Sequence, residues 1–316
     1  MLHHPDRTNL AIRAFVLLTV AAIVSFFTAF VRPAGPKAQT PPTGQAVQRP
    51  VIGAKCQQCH KEIVQSYALD AHGKSAKFLR DSRATTCESC HGDGTKHIET
   101  LEAKDIVNPP RLTTAEANES CLQCHAREQK RDAWRGGPHD RKDMSCLSCH
   151  SAHHYKSPET MLTKGAVEET CLGCHKDKQK SLFQRSTHLF RNEYGVMKVG
   201  CVSCHNPHGG EGRKMLQAHT TNSLCYQCHA EKRGPLLWEH APVQENCLTC
   251  HTPHGSNNVK LLTTRSHQLC QQCHVNLLSR HQTVAGFDVF TFNRGCVNCH
   301  TQIHGSNHPA GRAFTR

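Results

Sequence analysis

Ten copies of the pattern Cys-x-x-Cys-His use every one of the 20 cysteines in this chain of 316 residues. No cysteine is left over, so a disulfide framework with incidental pairs does not account for the pattern. On one helical turn, positions i, i+3 and i+4 share a face, so two thiols can bond to the edge of a porphyrin while the imidazole reaches its iron. Cys-x-x-Cys-His is the attachment signature of c-type haem. The ten copies are Cys56/Cys59/His60, Cys87/Cys90/His91, Cys121/Cys124/His125, Cys146/Cys149/His150, Cys171/Cys174/His175, Cys201/Cys204/His205, Cys225/Cys228/His229, Cys247/Cys250/His251, Cys270/Cys273/His274 and Cys296/Cys299/His300.

Two other uses of paired cysteines explain the pattern less well. Zinc sites need two Cys-x-x-Cys pairs at ribbon spacing and have no use for a histidine after every pair. A thioredoxin-like redox pair occurs once, in a strand–helix–strand setting. The sequence therefore predicts ten covalently attached haems c.

The composition fits a core made of cofactor rather than of side chains. Hydrophobic residues make up 37% of the chain, below the roughly 45–50% of globular domains. Burial of so few hydrophobic side chains cannot offset the conformational entropy that so long a chain loses when it becomes ordered. We expect a multihaem cytochrome c fold with little regular secondary structure, in which short helices surround an elongated, repeat-like stack of ten haems.

The N-terminus has the pattern of an export signal. Arg7 and Arg13 precede an uncharged apolar run over residues 14–31, and a proline-rich stretch follows. A basic segment before an apolar one is typical of secretory signals, and a run of about 18 residues is also long enough to span a bilayer. No clear small-x-small cleavage site follows, so cleavage and retention as an inner-membrane anchor both stay open.

The chain is predicted to have three parts, and the third carries all ten motifs. An exported protein of this kind is expected in the periplasm. The parts are an export signal or uncleaved membrane anchor over 1–38, a Pro-rich linker over 39–50, and a decahaem cytochrome domain over 51–316 with two pentahaem-like halves, about 51–195 and 196–316.

The formal net charge of +13 does not indicate a nucleic-acid partner. Four basic residues and one acidic residue lie in the first 38 positions, which leaves about +10 on the remainder. Ten oxidised haems, with two propionates each, bring about −10, so the oxidised holoprotein is expected to be close to neutral. The lysines and arginines are therefore expected to balance propionates, and no nucleic-acid partner is expected.

Spare histidines are available as the sixth ligand of each iron. The chain has 26 histidines; ten belong to the motifs, and His3 and His4 precede the export signal. Four methionines follow Met1, too few to serve ten irons. Coordination by two histidines is the simplest solution.

Internal repetition selects ten of the remaining histidines. From Cys121 onward the chain reads as units of two motifs, with one histidine between the motifs and another three or four residues after the second motif histidine. The opening unit has one histidine between its motifs and another six residues after His91. The predicted distal ligands are His72, His97, His139, His153, His188, His208, His240, His254, His281 and His304.

Four histidines stand outside the repeat: His154, His219, His267 and His308. Only the alignment of the repeats separates His154 from His153 and His308 from His304, so both remain alternatives. A histidine three residues beyond a motif histidine cannot readily reach the opposite face of the same flat porphyrin. It is expected to serve a neighbouring haem and to hold successive haems close.

Ten CxxCH motifs within about 260 residues, the CESCHGDGTKH segment and the repeated CHNPHG and CHTPHG segments resemble the DmsE/MtrA-type periplasmic decahaem c-type cytochromes. The resemblance covers about residues 50–308. It implies an extended wire of haems with two histidine ligands each that, in some members, lies inside an outer-membrane β-barrel and carries electrons between periplasm and exterior. The implied partners are redox proteins, including such a barrel and an outer- or inner-membrane multihaem cytochrome.

The expected function is electron transfer without bond chemistry. A multihaem enzyme such as a nitrite reductase or hydroxylamine oxidoreductase needs an iron with an open position, whereas this chain has no CxxCK variant and more histidines than irons. A soluble or inner-membrane-anchored shuttle to a reductase is the alternative to a wire across the outer membrane. A β-barrel gene beside this one would favour the wire, and a reductase gene would favour the shuttle.

Overall fold

Short helices and turns account for most of the regular structure of this chain, which a computed structural model describes at residues 55–78, 85–188, 190–191, 197–275, 281 and 295–315. The predicted export signal and linker lie outside the described residues. The described residues all fall within one unit, Val51–Arg316. Its α-helices are α1 (Lys61–Tyr67), α2 (Ala71–Phe78), α3 (Cys87–His91), α4 (Thr95–Thr100), α5 (Thr114–His125), α6 (Val167–Leu172), α7 (Lys176–Ser181), α8 (Thr221–Cys225), α9 (Ala241–Glu245) and α10 (Ser266–Gln271).

Single turns of 3-10 helix and one small sheet complete the regular structure of the described residues. The sheet pairs β1 (Phe190–Arg191) with β2 (Met197–Val199) in antiparallel register, with Phe190 opposite Val199. The 3-10 helices are Cys56–Gln58, Ala103–Asp105, Pro109–Arg111, Asp140–Lys142, Cys146–Ser148, Cys201–Ser203, Arg213–Met215, Ala230–Lys232, Cys247–Thr249, Val259–Leu261, Cys296–Asn298 and Gly311–Ala313.

Each motif forms one helical turn, because the backbone N–H of its histidine donates to the carbonyl of its first cysteine. In eight motifs this bond measures 2.8–3.0 Å, as between His60 and Cys56 or His205 and Cys201. From Cys121 onward, the first motif of each unit overlaps the end of an α-helix, and the second motif begins a 3-10 turn. Side-chain caps start several of these elements: Thr113 and Glu116 form a capping box at α5, and Asn246 accepts from the N–H of Leu248.

A return loop follows the second motif in three consecutive units and folds back onto it. The return loops are residues 151–163, 206–217 and 252–263. In the second of them, Asn206 N–H donates to the Met215 carbonyl at 2.8 Å and Gln217 N–H donates to the Cys204 carbonyl at 2.9 Å. The same two bonds recur in the other loops. Each loop turns through the left-handed region, with φ of 52°, 60° and 56° at Met161, Met215 and Leu261.

Few side chains are buried in the described part of the chain. Its buried hydrophobic residues are Tyr67, Ala76, Ala117, Leu122, Trp134, Leu162 and Ala218. Such a set cannot form the core of a domain of this length. The expectation of short helices with little regular structure is confirmed. Among the described residues, no helix has the length and apolarity needed to cross a bilayer.

Candidate haem centres

Hydrogen bonds from Nδ1 hold four of the motif imidazole rings against backbone carbonyls. His150, His205 and His251 donate from Nδ1 to carbonyls of their own return loops, at 2.8, 3.0 and 2.9 Å. His91 makes the equivalent bond to the Val107 carbonyl at 2.7 Å. An Nδ1–H that donates to a carbonyl fixes the ring and leaves the Nε2 lone pair free for a metal.

Each motif histidine faces one other histidine, and the two ring centroids lie 5.9–6.3 Å apart. Iron binds an imidazole nitrogen at about 2 Å, and that nitrogen lies about 1 Å from its ring centroid, so one iron between two rings needs a separation of about 6 Å. With the motif histidine first, the pairs are His60–His97, His91–His153, His125–His72, His150–His208, His175–His139, His205–His254, His229–His188, His251–His304, His274–His240 and His300–His281. The second members are the ten histidines that the repeat selected.

In most of these pairs the two histidines belong to adjacent units, so each unit supplies a ring that faces a motif of its neighbour. A histidine that follows a second motif faces the second motif of the preceding unit, as His208 faces His150 and His254 faces His205. A histidine between two motifs faces the first motif of the following unit, as His188 faces His229.

The terminal motifs instead use histidines of their own units. His97 faces His60 at the start of the series, and His281 faces His300 at its end. Every unit is therefore tied to the next by rings that come from both.

The exchanged segments also contact each other through the backbone. His139 donates from Nδ1 to the Pro207 carbonyl at 2.8 Å, directly before His208. Gly209 then approaches the Ala133 backbone so closely that a Cβ would lie 2.3 Å from the Ala133 carbonyl oxygen, and its φ is +121°. Only glycine fits this position, which explains the glycine of the repeated CHxPHG segments.

Burial favours the neutral, metal-binding form of seven of the ten histidines that face a motif histidine. Burial lowers the pKa of His208 to about 4. The same cause lowers the pKa of six further distal histidines, namely His72, His153, His188, His240, His254 and His304. A neutral imidazole keeps the lone pair that a metal needs, whereas an imidazolium does not.

Contacts between cysteine thiols show that motifs consecutive in the sequence are also neighbours in space. All 20 cysteines are free thiols. Within a unit the first cysteines of the two motifs touch. The hydrogen bond that the Cys121 thiol donates to Cys146 raises the pKa of Cys121. Burial, followed by the charge of the Cys56 thiol, raises the pKa of Cys87 to about 11. The five such pairs are Cys56–Cys87, Cys121–Cys146, Cys171–Cys201, Cys225–Cys247 and Cys270–Cys296.

Between units the second cysteines interact. Burial raises the pKa of Cys149, Cys204 and Cys250, and the nearest thiol of the next unit raises it further. Burial, followed by the thiols of Cys121 and Cys124, raises the pKa of Cys90 in the same way. Each motif is thus a spatial neighbour of the motif before it and the motif after it.

The cysteines of the motifs differ in their exposure to solvent. Fourteen of the twenty are partly buried. The second cysteine of six motifs is exposed. These six are Cys59, Cys124, Cys174, Cys228, Cys273 and Cys299.

The position of these six cysteines in the motifs gives the physical reason for their exposure. Five belong to the first motif of a unit, and Cys299 belongs to the last motif of the chain. The three return loops fold back onto second motifs, where Cys149, Cys204 and Cys250 accept a loop N–H at their carbonyls. In the part of the chain that the structure describes, the first motifs have no such loop over them. A thioether forms at the porphyrin edge and needs an open approach rather than burial among side chains, so an exposed thiol remains compatible with haem attachment.

The histidines outside the repeat have other contacts. His219 is exposed and lies 3.4 Å from the carboxylate of Glu211. His308 accepts the Ala310 N–H at its own Nδ1. His154 packs edge-on against His153, which is the ring that faces His91. His267 lies in α10.

Two buried indole groups fit a porphyrin that carries carboxylates. The Nε1–H groups of Trp134 and Trp238 are buried and have no hydrogen-bond partner in the protein. The Trp134 ring lies 6.5 and 6.3 Å from the rings of His139 and His208. A propionate beside these pairs would accept such a donor, so the residues present fit haem c.

Sequence reasoning missed two asparagines that join the motifs of a unit. The buried Asn118 accepts the Cys146 N–H at 2.7 Å and donates to the Met144 carbonyl at 3.0 Å. Asn222 accepts the Cys247 N–H at 2.8 Å. Each asparagine stands three residues before the first cysteine of its unit, and that recurrence is the signal that could have identified it.

Two family models match the chain. The model described as the doubled CXXCH motif matches residues 195–234 and 240–278. The model described as the cytochrome c-type protein NrfB-like matches residues 87–174. The two matches fall on the motif units described above.

One of the curated relatives is comparable in length to this chain. The multihaem cytochrome MtrA of Shewanella baltica is 41% identical over 277 residues, which cover 83% of this chain and 80% of that protein. The cytochrome c-type protein NrfB of Escherichia coli O6:H1 is 32% identical over 121 residues, or 36% of this chain and 61% of that protein. NrfB of Haemophilus influenzae is 29% identical over 121 residues, covering 31% of this chain and 53% of that protein.

Proposed function

This chain belongs to the family of the multihaem cytochrome MtrA and transfers electrons, and on that premise we propose that it carries ten haems c, each held by two histidines, along which electrons pass from motif to motif. The twenty ligands proposed are the motif histidines and the distal histidines that face them. The twenty motif cysteines, the six exposed ones included, hold the haems covalently.

The observation that carries the proposal is the one-to-one facing of ten motif histidines and ten others at 5.9–6.3 Å. Haem iron supplies a centre that gains and loses one electron. Two histidines would hold each iron and would leave it no position for a substrate, which favours electron transfer over catalysis. The Nδ1 bonds of His91, His150, His205 and His251 hold these rings in place, so they need not rearrange when the charge changes.

The thiol contacts support an electron path in sequence order. Contacts alternate between first cysteines within a unit and second cysteines between units. The motif at Cys56 and the motif at Cys296 are then the two ends of the path. Partners at the two ends are redox proteins.

We propose a periplasmic location with an outer-membrane role. The basic and apolar N-terminal pattern supports export. The resemblance of the motif segments to the DmsE/MtrA-type cytochromes implies an outer-membrane β-barrel and a multihaem cytochrome as partners. A soluble or inner-membrane-anchored shuttle to a reductase is the second candidate, and the NrfB-like match over residues 87–174 is the observation that favours it.

Haem content and spin state test the proposal. Protein made with its export signal in a host that matures cytochromes c should carry ten haems by pyridine haemochrome assay and intact mass. The ferric protein should be low-spin by electron paramagnetic resonance, without a band from methionine ligation. A Cys296→Ser/Cys299→Ser variant, the matched control, should lose one haem. Eight haems or fewer in the parent protein, or an abundant high-spin signal, would contradict the proposal.

A further inference from the structure

The last motif lies outside the three return loops described above, yet its histidine is held in the same way. His300 donates from Nδ1 to the Ala313 carbonyl. In the return loops the motif histidine makes this bond to a carbonyl of its own loop, as His205 does to Lys214. The acceptor for the last motif lies instead in the C-terminal tail, which we define as residues 308–315.

The C-terminal tail repeats a second feature of a return loop. In each loop, the N–H of the residue after the motif histidine donates to the carbonyl of a residue in the left-handed conformation, as Asn206 does to Met215. In the tail, Gln302 donates to the Phe314 carbonyl at 2.9 Å, and Phe314 has a φ of +54°. The donor is the second residue after the motif histidine here, and the first in the loops. The tail therefore serves as a fourth return loop.

Two contacts with ring systems hold the tail against the segment that carries His240. The Phe314 ring centroid lies 5.5 Å from that of His240. The guanidinium carbon of Arg312 lies 5.9 Å from the centroid of the Trp238 ring. These contacts fix the tail on both sides of the carbonyl that holds the last motif ring.

The last pair of facing rings differs from the other nine pairs in its orientation. The ring planes of His300 and His281 make an angle of 84°, whereas those of the other pairs make angles of 11–55°. Two imidazoles on one iron donate to the same d orbital when their planes are parallel, and to two different d orbitals when their planes are perpendicular. The perpendicular arrangement leaves these two orbitals nearly equal in energy. Axial ligation is one of the means by which a protein sets the state of a haem.

We propose that the C-terminal tail is a positioning element that holds the His300 ring across the plane of His281, so that the last haem differs in electronic state from the other nine. The inference rests on the proposed function, because it requires both histidines to bind the last iron. An axial imidazole can rotate about its bond to the metal, and a hydrogen bond from Nδ1 to a fixed carbonyl removes that freedom. The tail thereby distinguishes the centre at one end of the electron path from the centres within it.

Electron paramagnetic resonance of the fully oxidised protein tests this orientation. Rings at small angles give rhombic low-spin signals, whereas perpendicular rings give a strongly anisotropic low-spin signal because the two d orbitals are nearly equal in energy. About one tenth of the iron in the parent protein should give the anisotropic signal. A chain that ends at Pro309 lacks the Ala313 carbonyl and should lose this signal while it keeps ten low-spin haems. A chain that ends at Thr315 keeps that carbonyl and is the matched control, so its signal should equal that of the parent.

Phe314→Pro is a second variant that keeps the full length of the chain. Proline fixes φ at about −65°, so it cannot take the left-handed conformation of Phe314. It also removes the N–H that donates to the Gly311 carbonyl. This variant should lose the anisotropic signal as well. Retention of that signal in both variants would overturn the role of the tail.

Haem content and spin state, measured on the same samples, separate the two proposals. Ten low-spin haems without an anisotropic signal in the parent protein would overturn the inference and leave the proposed function intact. High-spin or missing haems in the parent protein would count against the proposed function itself. Loss of the last haem from both variants would make the tail an element needed for haem attachment and would overturn its role in orienting the ring.

Discussion

Individual imidazole rings would set the spin state of each proposed iron. Their surroundings distinguish the histidines proposed as ligands from the spare histidines. His208 is half-buried, faces His150 at 6.0 Å and lies beside Trp134. His219 is an exposed histidine beside Glu211. The two residues lie 11 positions apart in the same unit, so they form a matched pair for substitution.

Replacing His208 with alanine should create a single high-spin haem. The Ala side chain cannot bind iron, and His150 would then be the only protein ligand on its axis. A high-spin ferric signal from about one tenth of the iron is expected in electron paramagnetic resonance, with the haem content unchanged. Added imidazole should restore the low-spin signal because it can fill the vacated position.

His219→Ala is the control for this prediction and should keep all haems low-spin. An entirely low-spin His208→Ala protein would mean that another residue, or no residue at all, serves the His150 iron. A high-spin signal in His219→Ala would show that the contacts of the paired rings do not identify the ligands.

At the scale of single elements, a helical turn and a buried asparagine set the spacing of two motifs. Asn222 lies in α8 and bonds to three backbone groups of the following segment. It accepts the Cys247 N–H and donates to the carbonyls of Val243 and Gln244 at 2.9 and 3.1 Å. These bonds hold α8 against the 3-10 turn of the second motif, so the first cysteines of the unit stay in contact.

Replacing Asn222 with alanine should lower thermal stability without loss of haem. The change leaves the partly buried Cys247 N–H and two carbonyls without their partner, at a cost of about 2 kcal/mol. Thermal denaturation followed by circular dichroism should show a lower midpoint than the parent protein. Gln227→Ala removes an exposed side chain two residues beyond α8 and should leave the midpoint unchanged. Equal midpoints for Asn222→Ala and the parent protein would show that these hydrogen bonds of Asn222 do not stabilise the unit.

The sequence predicted the helical turn at each motif and selected the ten histidines that face the motif histidines, because both depend on short repeated spacings; that these ten bind iron stays a prediction. It did not assign each distal histidine to a motif, since the pairing of His188 with His229 depends on how adjacent units pack. Asn118 was missed for the same reason: the partners of a buried polar side chain are set by tertiary contacts. The left-handed turns at Met215 and Leu261 were missed because neither residue favours that conformation.

At the scale of the whole molecule, the exchange of histidines makes the units depend on one another. The proposed pentahaem-like halves, about 51–195 and 196–316, remain a prediction, and the ring pairs cross their boundary. His188 of the first half faces His229 of the second, and His208 of the second half faces His150 of the first. A path that runs through both halves therefore has its ligands supplied from both sides of the boundary.

A path of this kind predicts that the protein works between two partner surfaces rather than at one pocket. Electrons should enter near the motif at Cys56 or the motif at Cys296 and leave at the other end. We would reconstitute the protein with the β-barrel of its own gene neighbourhood in liposomes that contain a reduced dye, and add a ferric acceptor outside. Oxidation of the internal dye should require both proteins and should slow as salt screens the docking of charged surfaces. Oxidation of the dye with the barrel alone would contradict electron transfer through the cytochrome. Activity of the cytochrome alone on nitrite would indicate an enzyme. Retention of the protein in the inner membrane through residues 14–31 would favour the shuttle.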